Sequence, residues 1–296
     1  MDSSASNPKT SYHARSNSLP SSPHPLIAQV NEYLCRLRAS EATSSSSSSM
    51  SHNIVGLQDL HDCVDKLLLL PLSTQSLAQQ QHEKWVNELL DGSLRLLDLC
   101  NTAKDALLQT KECTQELQSI MRRRRGESML GSEVRKFLNS RKVVKKAINK
   151  ALRNLKGSKD KCTFSPSGAE NEVVALFSIL REAEAFTVTV FESLLSFISG
   201  RNAQSKPCRW SLVSKLMHSK RVACEEEETH ANEFSKVDAA LLSVFMTSKF
   251  DNKHVENLQN QLEHLEMCTQ DFEDGLECLF RRLIKTRVSL LNVLNH

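Results

Sequence analysis

Residues 88–125 read ELLDGSLRLLDLCNTAKDALLQTKECTQELQSIMRRRR, and the remainder of the chain is organised around them. This stretch is the longest central segment with an uninterrupted helical pattern, and it ends in four arginines. Its apolar residues recur at spacings that place them near one stripe of a 3.6-residue helix. These residues are Leu90, Leu94, Leu97, Ala103, Leu107, Leu117, Ile120 and Met121. Because segments with similar stripes lie on both sides, the sequence predicts that this one is the central member of a helical bundle.

The composition favours helices over sheets, because the 296 residues include only 8 glycines and few β-branched runs. We therefore expect an all-α, elongated helical bundle. The longest apolar run, residues 67–72, is interrupted by Pro71 and is far shorter than the roughly 20 residues of a membrane span. The amino end lacks the apolar core of a secretory signal. These features predict an intracellular protein, in the cytoplasm or at a membrane periphery, with reduced cysteines.

No enzyme or cofactor motif is present in the sequence. Phosphate-binding, dinucleotide-binding, serine-hydrolase and zinc-protease motifs are all missing, and the nine cysteines form no C-x-x-C pair. His264 and Cys268 are spaced for half of a metal site, but we favour a solvated helix flank as the explanation of the pair. We expect a non-enzymatic protein without a cofactor or a metal.

Residues 1–23 form a Ser- and Pro-rich tail with little to bury, which predicts disorder. The tail contains Arg15, Ser18 and Pro20 at the spacing that 14-3-3 proteins recognise once the serine is phosphorylated. Ser18 is therefore a candidate phosphosite and 14-3-3 docking site. A chance match in a Ser-rich tail remains the alternative.

Local signals divide the remainder of the chain into two helical regions, 24–156 and 169–296, joined by a linker at 157–168. In the first region, helices are expected at about 24–39 and 53–70, separated by a flexible serine tract at 44–49. Ser73 or Thr74 is expected to cap the next helix, and Gly92 to kink or break it. In the second region, helices are expected at 169–199, 210–217 and from the acidic run Glu225–Glu228 to about Met246.

Positive charge is concentrated in residues 122–161, which contain 15 Lys or Arg and three acids and so carry +12. Because the whole chain carries +3, the remainder carries −9. Gly126 and Gly131 are expected to bracket a turn, and Ser132 to cap a basic amphipathic helix over 132–156. The candidate contacts for an anion or a partner are Arg122, Arg123, Arg124, Arg125, Lys142, Lys145, Lys146, Lys150 and Arg153.

Four interpretations of this basic helix stay open. It packs against the protein's own acidic faces, such as Glu225–Glu228, or it contacts an anionic membrane surface. Alternatively, a calmodulin-like partner grips it. Nucleic acid is disfavoured, since Phe137 is the helix's one aromatic residue for base stacking.

The last helix, 253–294, has the most regular pattern in the chain. Twelve seam positions follow alternating steps of three and four, and ten of them are apolar, which is typical of a coiled-coil-like helix. They are Val255, Leu258, Leu262, Leu265, Thr269, Phe272, Leu276, Leu279, Leu283, Thr286, Leu290 and Val293. The seam packs either on helices of the same chain, which we favour, or on a second copy in a homodimer.

Several motifs together resemble one plant-specific family. HARSNSLP at 13–20, LDGSLRLLDLC at 90–100, the RRRRG that follows and VRKFLNSRKVVKKA at 134–147 are similar to the BYPASS-like family, long described as a domain of unknown function. The resemblance covers nearly the whole chain. It implies a plant protein associated with root and shoot development, including restraint of a mobile root-derived signal. It implies no catalytic residue or cofactor.

Overall fold

The protein is a bundle of long helices. The computed structural model describes residues 24–41, 46–79, 84–123, 127–159, 171–201, 231–247 and 252–295. Within these ranges it contains eight helices and no strand, which confirms the predicted all-α class. The helices are α1 (Pro25–Glu41), α2 (Ser47–Leu68), α3 (Pro71–Gln79), α4 (Lys84–Arg122), α5 (Glu127–Lys159), α6 (Asn171–Ile198), α7 (Glu233–Thr247) and α8 (Asn252–Asn295).

The two longest helices, α4 and α8, form the axis of the bundle. With 39 and 44 residues they are roughly 60 and 65 Å long, at about 1.5 Å per residue, so the predicted elongated shape is confirmed. They run antiparallel, because Lys104 of α4 pairs with Glu277 of α8, whereas the later Gln115 pairs with the earlier Glu266. Helix α2 also packs along α8, and α5 and α6 pack on α4.

The seam of α8 is buried inside the chain. Ten of its twelve predicted positions are buried, and Val255 and Thr286 are half-buried. The long carboxyl-terminal helix and its apolar seam are therefore as the periodicity predicted, and the seam faces helices of the same chain, chiefly α2 and α4. The homodimer through this seam stays an untested prediction.

Helix α4 differs from the expectation at two positions. It continues through Gly92 without a break, so the break expected there is wrong. Gly92 is buried against the carboxylate of Glu184 on α6, and this packing outweighs the helix weakness of glycine. Leu94, assigned to the buried stripe, is 46% exposed, whereas Leu96 and Leu99 are buried in its place.

Three predicted helix starts lie too late in the sequence. Helix α2 begins at Ser47, with Ser46 accepting a hydrogen bond from the amide of Ser49, so residues 47–49 of the serine tract are helical. Helix α3 begins at Pro71, which needs no amide hydrogen in the first turn, so Ser73 and Thr74 lie inside the helix rather than cap it.

The third late start concerns the basic helix. Helix α5 begins at Glu127, and Gly131 and Ser132 lie within it, so neither the turn nor the cap predicted there exists. Leu130 is buried and extends the apolar face by one turn, which favours the earlier start. The predicted linker 157–168 is helical over 157–159. Its remainder, the tail with Ser18, the predicted helix 210–217 and Glu225–Glu228 lie outside the described residues.

Candidate anion-binding site

The site is built on α5, whose two sides have opposite character. Val134, Phe137, Val144, Ile148 and Leu155 are buried and anchor the helix on the bundle. The rest of its circumference is rich in lysine and arginine. The bundle therefore fixes the position of the basic side.

Among the α5 cations whose side chains the structure describes, Arg141 is the exception, because its side chain points inward and is only 3% exposed. Its Nε and Nη2 donate to the two carboxylate oxygens of Asp238 on α7, at 3.0 and 3.2 Å. Nη2 also donates to the Ile198 carbonyl at the end of α6, at 2.8 Å. Sequence reasoning left Arg141 out of the candidate residues. Arg141 is seven residues away from both Val134 and Ile148. Because that spacing places all three on the same face of the helix, it was a sign in the sequence that Arg141 is buried.

Other cations of α5 are also paired within the fold. Lys145 Nζ lies 2.7 Å from Asp238, and Lys136 Nζ lies 2.7 Å from Glu116 on α4. The hydrogen bond to Glu116 raises the pKa of Lys136. The acidic partners on other helices are thus Asp238 and Glu116, and Glu133 of α5 itself also lies 3.8 Å from Lys136.

A groove of about 650 Å³ lies between α5 and the carboxyl end of α6. Four of the predicted contact residues converge there, and Arg201 joins them from the opposite wall. We call this feature the basic groove and define it by its lining residues: Lys142, Lys145, Lys146, Asn149, Leu152, Arg153, Glu192, Ser196 and Arg201. With five cations and one carboxylate, the lining carries a charge of +4. A concave surface with this charge raises the local concentration of anions.

Arg201 reaches the groove because α6 ends in a Schellman motif. Gly200 has a φ of 73°, the left-handed conformation that favours glycine. The amide of Gly200 bonds to the Phe197 carbonyl at 2.9 Å, and the amide of Arg201 bonds to the Ser196 carbonyl at 3.1 Å. The sequence predicted that the helix ends here, but nothing in it indicated that Arg201 lies beside α5.

The remaining predicted contacts lie elsewhere. Lys150 is exposed but does not line the groove. Arg122 and Arg123 are exposed at the end of α4, near the start of α5, roughly 20 Å of helix away from Lys142. Arg124, Arg125 and Ser18 lie outside the described residues. The sequence predicted one basic surface, and the structure divides it into two.

A second cavity, of about 1210 Å³, lies between α7 and α8 and includes His264 and Cys268 in its lining. Burial raises the pKa of the Cys268 thiol well above its usual range, so the thiol stays protonated. Among the described residues, no group of three His, Cys, Asp or Glu side chains is placed to hold a metal ion. The described residues therefore do not supply the further ligands that His264 and Cys268 would need to form a metal site.

The fold and the groove together define a class of protein, an all-α helical bundle with a basic groove on its surface. The chain belongs to the family described as Protein BPS1, whose family model matches residues 53–293. This match confirms the resemblance to the BYPASS-like plant family. Membership indicates a plant regulatory protein and leaves its biochemical function open. No curated protein and no solved structure matches the chain. Within the ranges that the structure describes, no helix has both the length and the hydropathy to cross a membrane.

Proposed function

We propose that this protein regulates by binding rather than by catalysis, and that the basic side of α5 contacts an anionic partner. By its family resemblance, the process in which it acts is root and shoot development. The buried thiols are in keeping with a non-enzymatic role. Burial raises the pKa of Cys63 and raises that of Cys100 to about 12, which makes both poor nucleophiles.

One observation carries the proposal: Lys142, Lys146 and Lys150 form no ion pair with the described residues, although their neighbours Lys136 and Lys145 do. The three lysines follow one another at steps of four, on one line of the helix. Like charges at that spacing destabilise a helix by about 0.2–0.5 kcal/mol per pair. An anionic partner bound across them removes this repulsion.

Two variants with the same change in net charge test the proposal. The first changes Lys142, Lys146, Lys150 and Arg153 to Gln, and the control changes the exposed Arg36, Lys66, Lys236 and Arg281 to Gln. Tagged forms are captured from root extract, and their partners are quantified by mass spectrometry. We expect partners that are lost with the first variant, retained with the control and released by added salt. Identical partner sets for both variants would contradict the proposal.

An anionic membrane surface is the second candidate partner, and exposed apolar residues near α5 favour it. Val143 is 58% exposed beside Lys142 and Lys146, and Phe245 and Met246 are exposed on α7, which packs on α5. Apolar side chains among cations suit the membrane interface, where each cation adds about 1 kcal/mol. Co-sedimentation with anionic and neutral vesicles over a salt series tests it. Binding to anionic vesicles that Val143→Asp abolishes would place membrane contact first.

The tail offers a separate contact. A phosphorylated peptide of residues 12–22 is expected to bind a 14-3-3 protein through Ser18, whereas the Ser18→Ala peptide is not. Fluorescence anisotropy measures both peptides, and equal affinities would rule out the motif.

A further inference from the structure

We propose that the basic groove is a binding site for a phosphorylated polyol such as an inositol polyphosphate, either free or as the head group of a lipid. The inference rests on the proposed function, because it specifies the anion that the basic side of α5 recognises. To the proposed function it adds a defined location, a groove with two opposing walls, and a class of ligand.

The first support is the convergence of cations from two separate elements. Lys142, Lys145, Lys146 and Arg153 approach from three successive turns of α5, and Arg201 approaches from the end of α6. A solvated charged helix face presents its charges on one side only. Charges on both walls of a groove can instead surround a single compact anion, and the planar fork of arginine matches phosphate oxygens.

The second support is that the groove is held in place before any ligand binds. Asp238 pairs with Lys145 at 2.7 Å, and the Schellman motif fixes the backbone of Arg201. Binding therefore has less conformational entropy to overcome than it would with free side chains.

The carboxyl end of α6 does not cancel this positive charge, although a helix ends in unsatisfied carbonyls that repel anions. The Ile198 carbonyl accepts from Arg141 at 2.8 Å. The Phe197 carbonyl accepts from Asn232 at 2.8 Å and from the amide of Gly200. Because the final carbonyls already have donors, less negative potential faces the groove.

The lining selects the class of ligand. Its volume of about 650 Å³ lies within the roughly 300–1000 Å³ of small-molecule sites. None of the lining residues is aromatic, so no side chain offers a stacking surface for a nucleobase. Asn149 and Ser196 can bond to hydroxyls, and Glu192 accepts from hydroxyls but repels phosphate. A ring that carries both phosphates and hydroxyls fits this lining better than inorganic polyphosphate does.

Calorimetric titration of the full chain with inositol trisphosphate, whose ring carries both phosphates and hydroxyls, tests the proposal at about 150 mM salt. The groove variant changes Lys142, Lys146 and Arg201 to Gln. The control variant changes the exposed Arg36, Lys66 and Arg281 to Gln, which removes the same charge far from the groove. Circular dichroism verifies that both variants are folded. We expect binding at least about tenfold weaker for the groove variant, and within about twofold of the native chain for the control.

Two sources of the ligand are separated by a second arm. Vesicles with a few per cent phosphatidylinositol bisphosphate present the same chemistry on a lipid, and soluble inositol trisphosphate presents it free. If the native chain binds one of these two probes more tightly, and only the groove variant loses that binding, the result supports the site and identifies the source of the ligand.

Three outcomes would overturn the site. The first is that the native chain binds neither probe. The second is that both variants bind the probe equally weakly. The third is that sulfate competes for the groove as effectively as the probe does. Equally weakened binding in both variants would still be compatible with a general anionic contact. If the native chain still captured its partners from root extract, the proposed function would hold without this ligand.

Discussion

Arg141 and Asp238 form a buried bidentate ion pair that joins α5 to α7, with the two nitrogen–oxygen distances at 3.0 and 3.2 Å. The same guanidinium donates to the Ile198 carbonyl of α6 and lies 5.3 Å from the centre of the Phe234 ring. Its Nη1 also donates to Thr110 Oγ1 of α4 at 3.4 Å, so one side chain connects four helices beside the basic groove. Its contribution to the structure is to hold α5 and the end of α6 at a fixed separation.

Arg141→Met should lower the free energy of unfolding by about 3 kcal/mol, because it leaves the Asp238 carboxylate buried with Lys145 as its remaining cation. Urea unfolding followed by circular dichroism measures the change. Lys145→Gln is the control, since Lys145 is 39% exposed and its loss should cost less than about 1 kcal/mol. Similar losses for both substitutions would show that Arg141 is not the main connection.

Gly92 and Gly131 both lie inside helices, but a methyl group would meet different surroundings at each. At Gly131 nothing lies within 4 Å, so Gly131→Ala should raise stability by about 0.5–1 kcal/mol. At Gly92 the methyl would collide with the carboxylate of Glu184, which pairs with Arg95 at 3.5 Å. Gly92→Ala should therefore lower stability, by about 1 kcal/mol net.

Thermal and urea unfolding compare the two glycine variants under the same conditions. A second Glu184→Ala substitution removes the collision, so the loss caused by Gly92→Ala should shrink in the double variant. Stabilisation by both single alanines would mean that Glu184 moves aside at no cost.

His61 should make stability depend on pH. The hydroxyl of Thr187 donates to the Ala183 carbonyl at 2.7 Å, so its oxygen accepts from Nε2 of His61 at 3.0 Å. Nδ1 is buried and has no hydrogen-bond partner. Burial lowers the pKa of His61 from 6.5 to about 4, with an opposing contribution from Asp62, because a second proton would place a charge in the core.

The sign of the pH effect follows from this lowered pKa. Between pH 6.5 and 4 the unfolded chain binds a proton that the folded chain does not, so stability falls as the pH decreases through this window. The loss attributable to His61 is about 3 kcal/mol over the full window. Urea unfolding at several pH values, compared with His61→Gln, isolates it. Burial also raises the pKa of Glu184, but that contribution is present in both proteins and cancels. Parallel pH curves for the two proteins would contradict the prediction.

Periodicity predicted the fold well wherever one helix face meets one neighbour, as the seam of α8 does. It failed at Leu94 because α4 is covered by α5, α6 and α8 on different sides, so its buried surface is not one stripe. Local propensity failed at Gly92 because Glu184, 92 residues further along the chain, determines the packing there. The groove was predicted in part: Lys142, Lys145, Lys146 and Arg153 follow from helical spacing. Arg201 depends on a contact between distant segments, which one sequence does not display. Arg141, which lies beside the groove, was missed although its spacing from Val134 and Ile148 indicated the buried face.

The packing of Leu276 predicts the oligomeric state. Leu276 is fully buried in the seam, and its carbonyl accepts a weak hydrogen bond from the thiol of Cys100 on α4, at 3.7 Å. We therefore expect a concentration-independent monomer of 33.3 kDa in light scattering, and we expect Leu276→Asp to unfold the protein. A charge without a partner in the core should cost about 4 kcal/mol or more.

Ile284→Asp is the matched control, because Ile284 lies on the same helix but is 41% exposed, so this variant should remain folded. The opposite result is equally well defined. If the native chain has twice the monomer mass and Leu276→Asp is a folded monomer, the seam joins two copies, and α8 has to separate from α4 when the dimer forms.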